Sequence, residues 1–364
     1  MIGLLLFIFI LMSPYVLVIL LTSYARVGAS VNPGKVKNWP MISVIMPTYN
    51  EESRVARKLE EVLDLDYPQD KLEIIVVDES TDDTPKIVRA FERGHSRIVR
   101  LLHHKERLGW ARALHNGYTN ARGSILAKMD CDSTLLTGSA LKIAASYLAS
   151  PQIGAVTGIY KPSEASEANY RSVLHKLQIA ESRINSTLIA HGCFTAFRKK
   201  LYRPLNPNSL ADESEIFVDI ISQGYRAVLI PEIEAVEARP PDYLGTLAQR
   251  SRRAQGIVQL CLGKKGRLLL RAGFAETFLL LFNLYLIALS PFSLLAMAMA
   301  VFVLLNKMDA SLGNMLFALS IVGVLAAWLH RRNVVSSFLD AQLAGAIGLF
   351  KAFRQTSGVY ERIR

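Results

Sequence analysis

Residues 126–133 read Leu-Ala-Lys-Met-Asp-Cys-Asp-Ser, a predicted strand that runs directly into the acidic pair Asp130 and Asp132. A second apolar stretch, residues 74–77, delivers Asp78 at its own end. Because ligands bind at the carboxyl ends of strands in a parallel α/β sheet, we expect the three carboxylates to share one site. Such oxygens suit Mg2+ or Mn2+, which also bind a substrate's phosphates. An Asp-x-Asp in an exposed loop is ordinary solvated surface, but its place after a buried strand predicts a metal and nucleotide site.

Short apolar stretches alternate with amphipathic ones from residue 41 onward, which is typical of a parallel sheet covered by helices. Strands are predicted at 42–46, 72–77, 97–102, 124–129, 154–160, 194–197 and 227–230. Helices are predicted around 51–63, 87–91, 110–121, 139–149, 165–189 and up to 223. The predicted fold class is α/β, with a mostly parallel Rossmann-like sheet flanked by helices.

The two ends of the chain are apolar, and they raise the mean hydropathy to +0.25. Residues 1–23 carry no charge, and about 20 apolar residues suffice to cross a bilayer. A cleaved signal peptide is the alternative, but its positively charged start is missing. Two further apolar blocks, 277–305 and 312–329, predict two more transmembrane helices. Since Lys and Arg follow the first helix, the positive-inside rule predicts that the central domain faces the cytosol.

These patterns predict the domain organisation. The segments are an N-terminal transmembrane helix at 1–25, a cytosolic catalytic domain at 38–242, a basic amphipathic interfacial segment at 243–272, two transmembrane helices at 273–332, and a C-terminal interfacial helix and tail at 333–364. A fourth span near 338–353 is the alternative for the last segment, although Asp340 and Lys351 favour an interfacial helix.

The chain has a formal net charge of +11, from 42 Lys and Arg against 31 Asp and Glu. Much of the excess lies beside the apolar segments, where basic residues usually contact anionic lipid headgroups. We therefore expect a lipid bilayer as partner and no nucleic acid. Cys131, Cys193 and Cys261 are odd in number and lack metal-ligand spacing, which favours a reducing compartment.

Two loops are candidates for ligand contacts. In the first, residues 46–52, Pro47 is expected to end strand pairing and Tyr49 to stack on a base. A plain strand-to-helix turn would explain Glu51, since acidic residues favour a helix N-terminus, but it does not explain Tyr49. The second, residues 107–117, opens a predicted helix with a glycine and basic side chains. Phosphate binding and simple helix capping are about equally good interpretations.

Taken together, these motifs resemble family 2 glycosyltransferases of the GT-A fold. The matching segments follow the family order over about residues 41–256 and are 46–52, 76–84, 129–132 and 192–198. The resemblance implies a GT-A domain that transfers a sugar from a nucleotide-sugar donor.

The resemblance also implies a role for each matching residue. Donor-binding roles fall on Pro47, Tyr49, Glu51, Asp78 and Asp130, and metal-binding roles fall on Asp130 and Asp132. A later Glu-Asp pair supplies the catalytic base in the family. Here it falls on Asp212 and Glu213, in reversed order, so the choice between these two stays open. Helix N-terminal charge is the alternative interpretation of both.

Residues 249–253, Gln-Arg-Ser-Arg-Arg, resemble the Gln-x-x-Arg-Trp motif of membrane-integrated cellulose, hyaluronan and glucosylceramide synthases. Gln249 and Arg252 match, and Arg253 stands where tryptophan is usual. The resemblance implies that Gln249, Arg252 and Arg253 contact the donor diphosphate or the acceptor. A basic interfacial helix, whose arginines extend to lipid headgroups, is the alternative.

Residues 107–132 also resemble dolichyl-phosphate mannose synthases, which points to GDP-mannose and a membrane lipid or lipid-linked acceptor. The expected function is therefore a metal-dependent, inverting transfer of a single sugar by an enzyme integral to the cell membrane. A processive polysaccharide synthase that uses UDP-glucose or a related donor is the alternative. A non-catalytic scaffold is the third reading.

Overall fold

The computed structural model describes residues 2–27, 31–161, 165–237, 242–330 and 334–354. The strands are β1 Ile42–Thr48, β2 Leu72–Asp78, β3 Val99–His103, β4 Ile125–Lys128, β5 Ser133–Leu135, β6 Ile153–Tyr160, β7 Thr195–Arg198 and β8 Arg226–Glu237. The helices are α1 Ile2–Val27, α2 Val55–Leu63, α3 Thr84–Gly94, α4 Trp110–Asn120, α5 Ala140–Ala149, α6 Ala165–Ile184, α7 Asp212–Ser222, α8 Tyr243–Leu262, α9 Gly266–Ala272, α10 Phe274–Leu284, α11 Ser290–Met308, α12 Ala310–Leu329 and α13 Val334–Arg354.

Within these residues the strands form one eight-stranded sheet in the order β3-β2-β1-β4-β7-β6-β8-β5. The first four of these pair in parallel, and so do β6 and β8. Strand β7 runs antiparallel to both of its neighbours, and β5 runs antiparallel to β8. The expected α/β class, a mostly parallel sheet flanked by helices, is confirmed.

The sheet has a hydrophobic core on each face because its central strands are mostly apolar and are buried at every position. Val44 and Met46 of β1 face a core that also contains Leu59 of α2. Ile45, between them, faces a second core that contains Phe217 of α7. Successive side chains of a strand point to opposite faces, so a strand buried on both faces reads as a continuous apolar run.

Strand β1 continues past the point where its proline was expected to end it. Pro47 lies in the strand, in register with Val77 of β2. The backbone carbonyl of Ile45 points toward β4 and accepts a hydrogen bond from the Met129 N–H. The backbone of Pro47 points toward β4 as well, because the backbone groups of alternate residues in a strand point to the same neighbour. Strand β4 ends at Lys128, so β1 needs no N–H donor there and tolerates a proline.

The far end of the sheet also differs from the prediction. Strand β8 was expected to stop at Ile230, before Pro231, yet it runs to Glu237. Its register with β6 shifts between Thr157 and Ile159. A bulge of this kind accommodates a proline without ending the pairing. The extension matters because it brings Glu237 to the same end of the sheet as β5.

Three helices in the described ranges are long and apolar enough to cross a membrane, namely Ile2–Tyr24, Phe274–Met308 and Ala310–Leu329. The second contains α10, a π-helical turn at Tyr285–Leu289, and α11. Its 35 residues extend about 50 Å at 1.5 Å per residue, which exceeds the hydrocarbon core of about 30 Å. Tilting, or a kink near Pro291, would accommodate the extra length.

Helix α13 packs along α8. A side chain at Gly348 would overlap Ser251 and Gln255 of α8, so the two helices approach closely there. Asp340 accepts hydrogen bonds from the Tyr243 hydroxyl at 2.9 Å and from the Trp328 indole at 3.0 Å. Those two donors explain how a carboxylate is accommodated in this otherwise apolar helix.

Helix α6 connects the sheet to α10 through buried polar contacts. Glu181, 6% exposed, accepts hydrogen bonds from Asn283 Nδ2 at 3.0 Å and from the Thr187 hydroxyl at 2.8 Å. Asn185 donates to Glu276 at 2.9 Å. Burial raises the pKa of Glu181 to about 7, more than its two hydrogen bonds lower it. The carboxyl group is therefore favoured in its protonated form.

Glu181→Gln should change how stability depends on pH. A carboxyl whose pKa rises from 4.5 to about 7 on folding contributes stability below pH 4.5 and loses about 3 kcal/mol of it as the pH rises through 7. The neutral glutamine has no such loss, so the variant should gain stability relative to wild type between pH 5 and pH 8. Denaturation in detergent at both pH values measures this. The control is Glu276→Gln, which changes a partly exposed carboxylate of α10 that bonds to Asn185 near the end of α6. An equal gain in stability in both variants would contradict the raised pKa of Glu181.

Candidate active site

Asp78 joins the carboxyl ends of the first three strands. Its Oδ1 accepts hydrogen bonds from the Thr48 hydroxyl at 2.8 Å and the Ser80 hydroxyl at 2.5 Å. Its Oδ2 lies 2.8 Å from His103 Nδ1. The carboxylate is fully buried. It therefore fixes the edge of the sheet at which ligands of parallel α/β folds bind.

The loop after β1 lies on this same edge. The backbone N–H of Asn50 donates to the Ser80 hydroxyl at 2.7 Å, and Asn50 adopts a positive φ of 55°, which asparagine tolerates better than most residues. The Arg107 guanidinium lies over the Tyr49 ring, with its Cζ atom 4.2 Å from the ring centroid. Glu51 pairs with Arg54 at 3.1 Å. The structure thus brings the predicted donor-binding residues of the loop next to Asp78.

Lys128, the last residue of β4, gathers three carboxylates. Its side chain is 1% exposed, and its Nζ lies 3.0 Å from Asp130 Oδ1 and 3.3 Å from Asp212 Oδ2. It also donates a hydrogen bond to Glu213 Oε1. The Trp110 ring centroid is 5.3 Å from the same nitrogen. We call Lys128, Asp130, Asp212 and Glu213 the acid cluster. In it the predicted metal ligand Asp130 meets both candidates for the catalytic base.

The approach of these carboxylates depends on Gly192, just before β7. Its carbonyl accepts a hydrogen bond from the Asp130 backbone at 3.2 Å. A Cβ at this position would overlap Asp130 Oδ2 and lie 2.7 Å from Glu213 Oε1. Only a glycine leaves room for both acids. The antiparallel insertion of β7 beside β4 brings Gly192 to this point.

The acid cluster has three carboxylates around one ammonium group, and its protonation reflects that imbalance. Burial raises the pKa of Asp130 and of Asp212, and the charge on Glu213 raises both further. Burial acts on Glu213 in the same direction, but Lys128 outweighs it and lowers the pKa of that carboxyl. Of the described residues, none donates a hydrogen bond to Asp130 Oδ1 or Asp212 Oδ2, although Lys128 is within ion-pair distance. Additional positive charge would stabilise this group.

Asp132 lies beside the acid cluster rather than in it. Burial and the charge of Glu237 raise its pKa, and Arg54 and Arg253 oppose the rise. It lines a cavity of about 220 Å3 together with Arg54 and Arg57, at the start of α2. Among the described residues, no three His, Cys, Asp or Glu side chains form a ready-made metal site. Two protein carboxylates nevertheless fit Mg2+, which takes its other ligands from water and substrate phosphates.

The predicted motif on α8 meets the sheet through one carboxylate. Gln249 Nε2 lies 3.3 Å from Glu237 Oε1, and Arg253 donates to the same oxygen. Residues four apart share a helix face, which is why Arg253 joins Gln249 on Glu237. Arg252, the residue that matched the sequence motif, is displaced by about 100° around the helix.

Sequence reasoning missed Lys128, Glu237 and the packing role of Gly192. The sequence did contain a signal for the role of Lys128, because a lysine inside an apolar strand needs acidic partners. Lys128, Asp130 and Asp132 are spaced by two, so an extended backbone would direct them to one face. Glu237 carried no comparable signal, because its position depends on the unexpected length of β8.

Two family models match the chain. The model described as glycosyl transferase family 2 matches residues 43–205. The model described as glycosyl transferase family group 2 matches residues 125–329, more than half of the chain. The chain belongs to glycosyltransferase family 2. The family expected from the sequence is therefore confirmed.

A solved structure shares the fold of this glycosyltransferase along nearly its whole length. It is the mannosyltransferase PcManGT from Pyrobaculum calidifontis, in complex with GDP-Man and Mn2+. The two chains are 28% identical with a TM-score of 0.78, and the match covers 96% of this chain and 99% of the other. This likeness confirms the expected GT-A fold.

Two curated relatives match shorter parts of the glycosyltransferase. A poly-beta-1,6-N-acetyl-D-glucosamine synthase of Staphylococcus epidermidis is 27% identical over 43% of this chain and 39% of its own. A GalNAc(5)-diNAcBac-PP-undecaprenol beta-1,3-glucosyltransferase of Campylobacter jejuni is 32% identical over 28% of this chain and 32% of its own. The chain spans 56% of the length of another curated relative, a probable glycosyltransferase of Bacillus subtilis, so it covers about half the length, or less, of these three relatives.

Lys128→Met should destabilise the glycosyltransferase strongly at alkaline pH. Removing the cation of a buried ion pair leaves an uncompensated charge, and such changes cost about 3–5 kcal/mol. The loss should be smaller at pH 5, because the three carboxyl groups can then take up protons. The free energy of unfolding in detergent at pH 5 and pH 8 measures both quantities.

Lys58→Met is the matched control. Lys58 is equally buried, 1% exposed in its side chain, but among the described residues it forms an ion pair with one carboxylate, Glu61, at 2.7 Å. Its replacement should cost less, and the cost should depend less on pH. If both variants lost the same stability at both pH values, Lys128 would not be the counter-ion of the acid cluster.

Proposed function

We propose that the chain transfers a single mannose from GDP-mannose to a membrane lipid or lipid-linked acceptor, with inversion at the anomeric carbon. The observation that carries this proposal is the acid cluster at the edge of the sheet formed by β1, β2 and β4. The full-length likeness to a mannosyltransferase that was solved with GDP-Man and Mn2+ supports the choice of donor.

Asp130 and Asp132 would hold the divalent metal, Mg2+ or Mn2+. The residues fit it, since Asp130 is buried and the acid cluster has three carboxylates around the single ammonium group of Lys128. When bound, a divalent cation offsets the charge that develops on a departing diphosphate. Pro47, Tyr49, Glu51 and Asp78 would hold the nucleoside.

Glu213 is the better candidate for the catalytic base. It must be ionised to take a proton from an acceptor hydroxyl, and Lys128 lowers the pKa of Glu213 while that of Asp212 is raised. In the proposed reaction the acceptor oxygen attacks the anomeric carbon from the face opposite the diphosphate and loses its proton to the carboxylate. Attack from that face inverts the configuration, and a positioned base of this kind contributes about 100- to 10,000-fold to the rate.

The segment on α8 would contact the diphosphate or the acceptor. Gln249 and Arg253 reach the site edge through Glu237, and the charge of Glu213 acts on Arg253. Arg252 keeps the role that the sequence motif implies. The guanidinium groups of Arg252 and Arg253 suit phosphate oxygens in geometry and charge.

A membrane-embedded acceptor agrees with the position of α6. His191, the neighbour of Gly192, lies 3.0 Å from Gln178 Oε1 of this helix. Helix α6 packs against α1 and is bonded to α10 through Glu181. The acceptor side of the site therefore borders the apolar helices. We propose accordingly that residues 38–242 form the catalytic domain on the cytosolic face, that 243–272 and 333–364 are interfacial, and that 1–25 and 273–332 contain the three spans.

A processive polysaccharide synthase is the second candidate, because one relative is a poly-beta-1,6-N-acetyl-D-glucosamine synthase. Such an enzyme has to move its product across the bilayer, and three spans offer little surface for a channel. A non-catalytic scaffold ranks third, since the carboxylates expected of an active site are all present.

Transfer assays with purified protein in detergent test the proposal. Radiolabelled GDP-mannose and UDP-glucose are offered in parallel, with Mn2+ or with a chelator, and with total membrane lipid as acceptor. We expect one mannolipid that forms only with metal. Glu213→Gln should lower its formation by about 100-fold or more while GDP still binds, and Asp212→Asn should have a smaller effect.

Glu60→Gln, on the exposed face of α2, is the control and should transfer at the wild-type rate. A ladder of polymers would support the synthase instead. Absence of both turnover and nucleotide binding would support the scaffold. A complete loss in Asp212→Asn with an active Glu213→Gln would transfer the role of base to Asp212.

A further inference from the structure

Tyr118 of α4 carries a buried hydroxyl group that the proposed chemistry does not use. The side chain is 0% exposed, and within the described residues its oxygen has no hydrogen-bond partner. Buried polar groups without a partner are rare in folded proteins, and a catalytic role is one reason for which they are kept. A phenylalanine would fill the same space without burying a hydroxyl. The hydroxyl is therefore expected to serve a purpose beyond packing.

Aromatic neighbours fix the position of the Tyr118 ring. The ring centroid of Phe197, on β7, lies 5.2 Å away, and that of Tyr202 lies 5.1 Å away. Both contacts are edge-to-face, an arrangement that aromatic pairs favour. The Tyr202 hydroxyl is itself bonded to His115, 2.8 Å from its Nδ1. The Tyr118 hydroxyl is therefore held in place by its ring, while its own hydrogen bond remains to be made.

Tyr118 lies on the face of the sheet that carries the acid cluster. Leu126 and Lys128 of β4 are two residues apart, so their side chains point to the same face. Leu126 shares its core with Tyr118 and with the apolar side of α7, the helix that begins at Asp212. Burial raises the pKa of Tyr118, and the charges of Lys128 and of the two acids at the start of α7 act on it as well. The hydroxyl thus keeps its proton and lies near these acids.

The surroundings determine what the Tyr118 hydroxyl can bond to. Its complete burial excludes contact with a substrate, so it has to act through a neighbouring side chain. Lys128 offers donors alone, so the hydroxyl proton has to go to a carboxylate. Glu213 already accepts a hydrogen bond from Lys128, whereas Asp212 Oδ2 is held more loosely, 3.3 Å from the same nitrogen. Asp212 is therefore the better acceptor.

We infer that Tyr118 is a positioning residue, which donates a hydrogen bond to Asp212 in the reacting complex and so leaves Glu213 to act as the base. The two neighbouring acids then have separate tasks. Tyr118 and Lys128 hold Asp212 in place, while Glu213, bonded to Lys128 alone of these two, is directed at the acceptor hydroxyl. This inference rests on the proposed function and explains how one of its two candidate bases is set apart.

Tyr118→Phe tests the inference because it removes the hydroxyl and keeps the ring. In the mannose-transfer assay the turnover rate should fall about tenfold or more, since a hydrogen bond to a charged group is worth at least that factor. GDP should bind as it does to wild type. The melting temperature in detergent, measured without nucleotide or metal, should equal or exceed that of wild type, because no hydrogen bond is lost. A purely structural role would instead lower it.

Tyr202→Phe is the matched control and should show the opposite pattern. Its ring belongs to the same aromatic group, but its hydroxyl is bonded to His115. Removing that hydroxyl should lower the melting temperature and leave the turnover rate unchanged. If Tyr118→Phe behaved in this way as well, its hydroxyl would serve folding alone and the inference would be overturned.

The same change in an Asp212→Asn background identifies the acceptor. The hydroxyl then bonds to a neutral group, so Tyr118→Phe should lower the turnover rate by a smaller factor, about fivefold or less. A loss as large as in the wild-type background would show that Asp212 is not the partner and would overturn the inference, while mannose transfer would still stand. If wild type transferred no sugar, the proposed function would fail and the inference with it.

Discussion

The ion pairs of Lys128 within the acid cluster are the interaction on which the rest of the site depends. A buried ammonium can draw together three carboxylates that would otherwise repel one another, because its charge is poorly screened at 1% exposure. To bring the three carboxylates to Lys128, distant parts of the chain have to meet at the end of β4. Strand β4 must end at Lys128, β7 must insert antiparallel to deliver Gly192, and α7 must begin at Asp212. In the proposed reaction, this is the place where the nucleotide diphosphate and the acceptor would meet.

The same site is held against the membrane region by polar contacts on both sides. Helix α7, which carries Asp212 and Glu213, is bonded to the start of α9 by Lys265, 2.8 Å from Glu215 and 2.5 Å from Asp219. On the side of His191, Glu181 joins α6 to α10. Because buried polar groups need specific partners, these contacts define one orientation of the sheet relative to the apolar helices. The proposed transfer to a membrane lipid would need such a fixed orientation.

Much of this arrangement could be predicted from the sequence, and the limits have physical reasons. Asp78 and Asp130 stand at the ends of apolar strands, so local pattern and the geometry of parallel sheets were enough to predict that both lie at the carboxyl edge of the sheet. Glu237 was missed because a bulge, invisible in the sequence, carries β8 past Pro231. The pairing of Lys128 with Asp212 and Glu213 was missed because those two acids lie more than 80 residues further along the chain. The α8 motif identified Gln249, but the helix period, which a motif does not record, brings Arg253 to the same carboxylate.

The proposed function requires that Asp130 and Asp132 form a divalent metal site for a nucleotide donor. Mn2+ binding in the presence of GDP, measured by electron paramagnetic resonance on wild type and Asp132→Asn, tests it most directly. We predict that the variant loses about 100-fold or more in Mn2+ affinity, since even the loss of an outer partner of a metal ligand costs 10- to 100-fold. Asp70→Asn, at an exposed position, should bind as wild type does. Equal Mn2+ affinity in wild type and Asp132→Asn would contradict the claim.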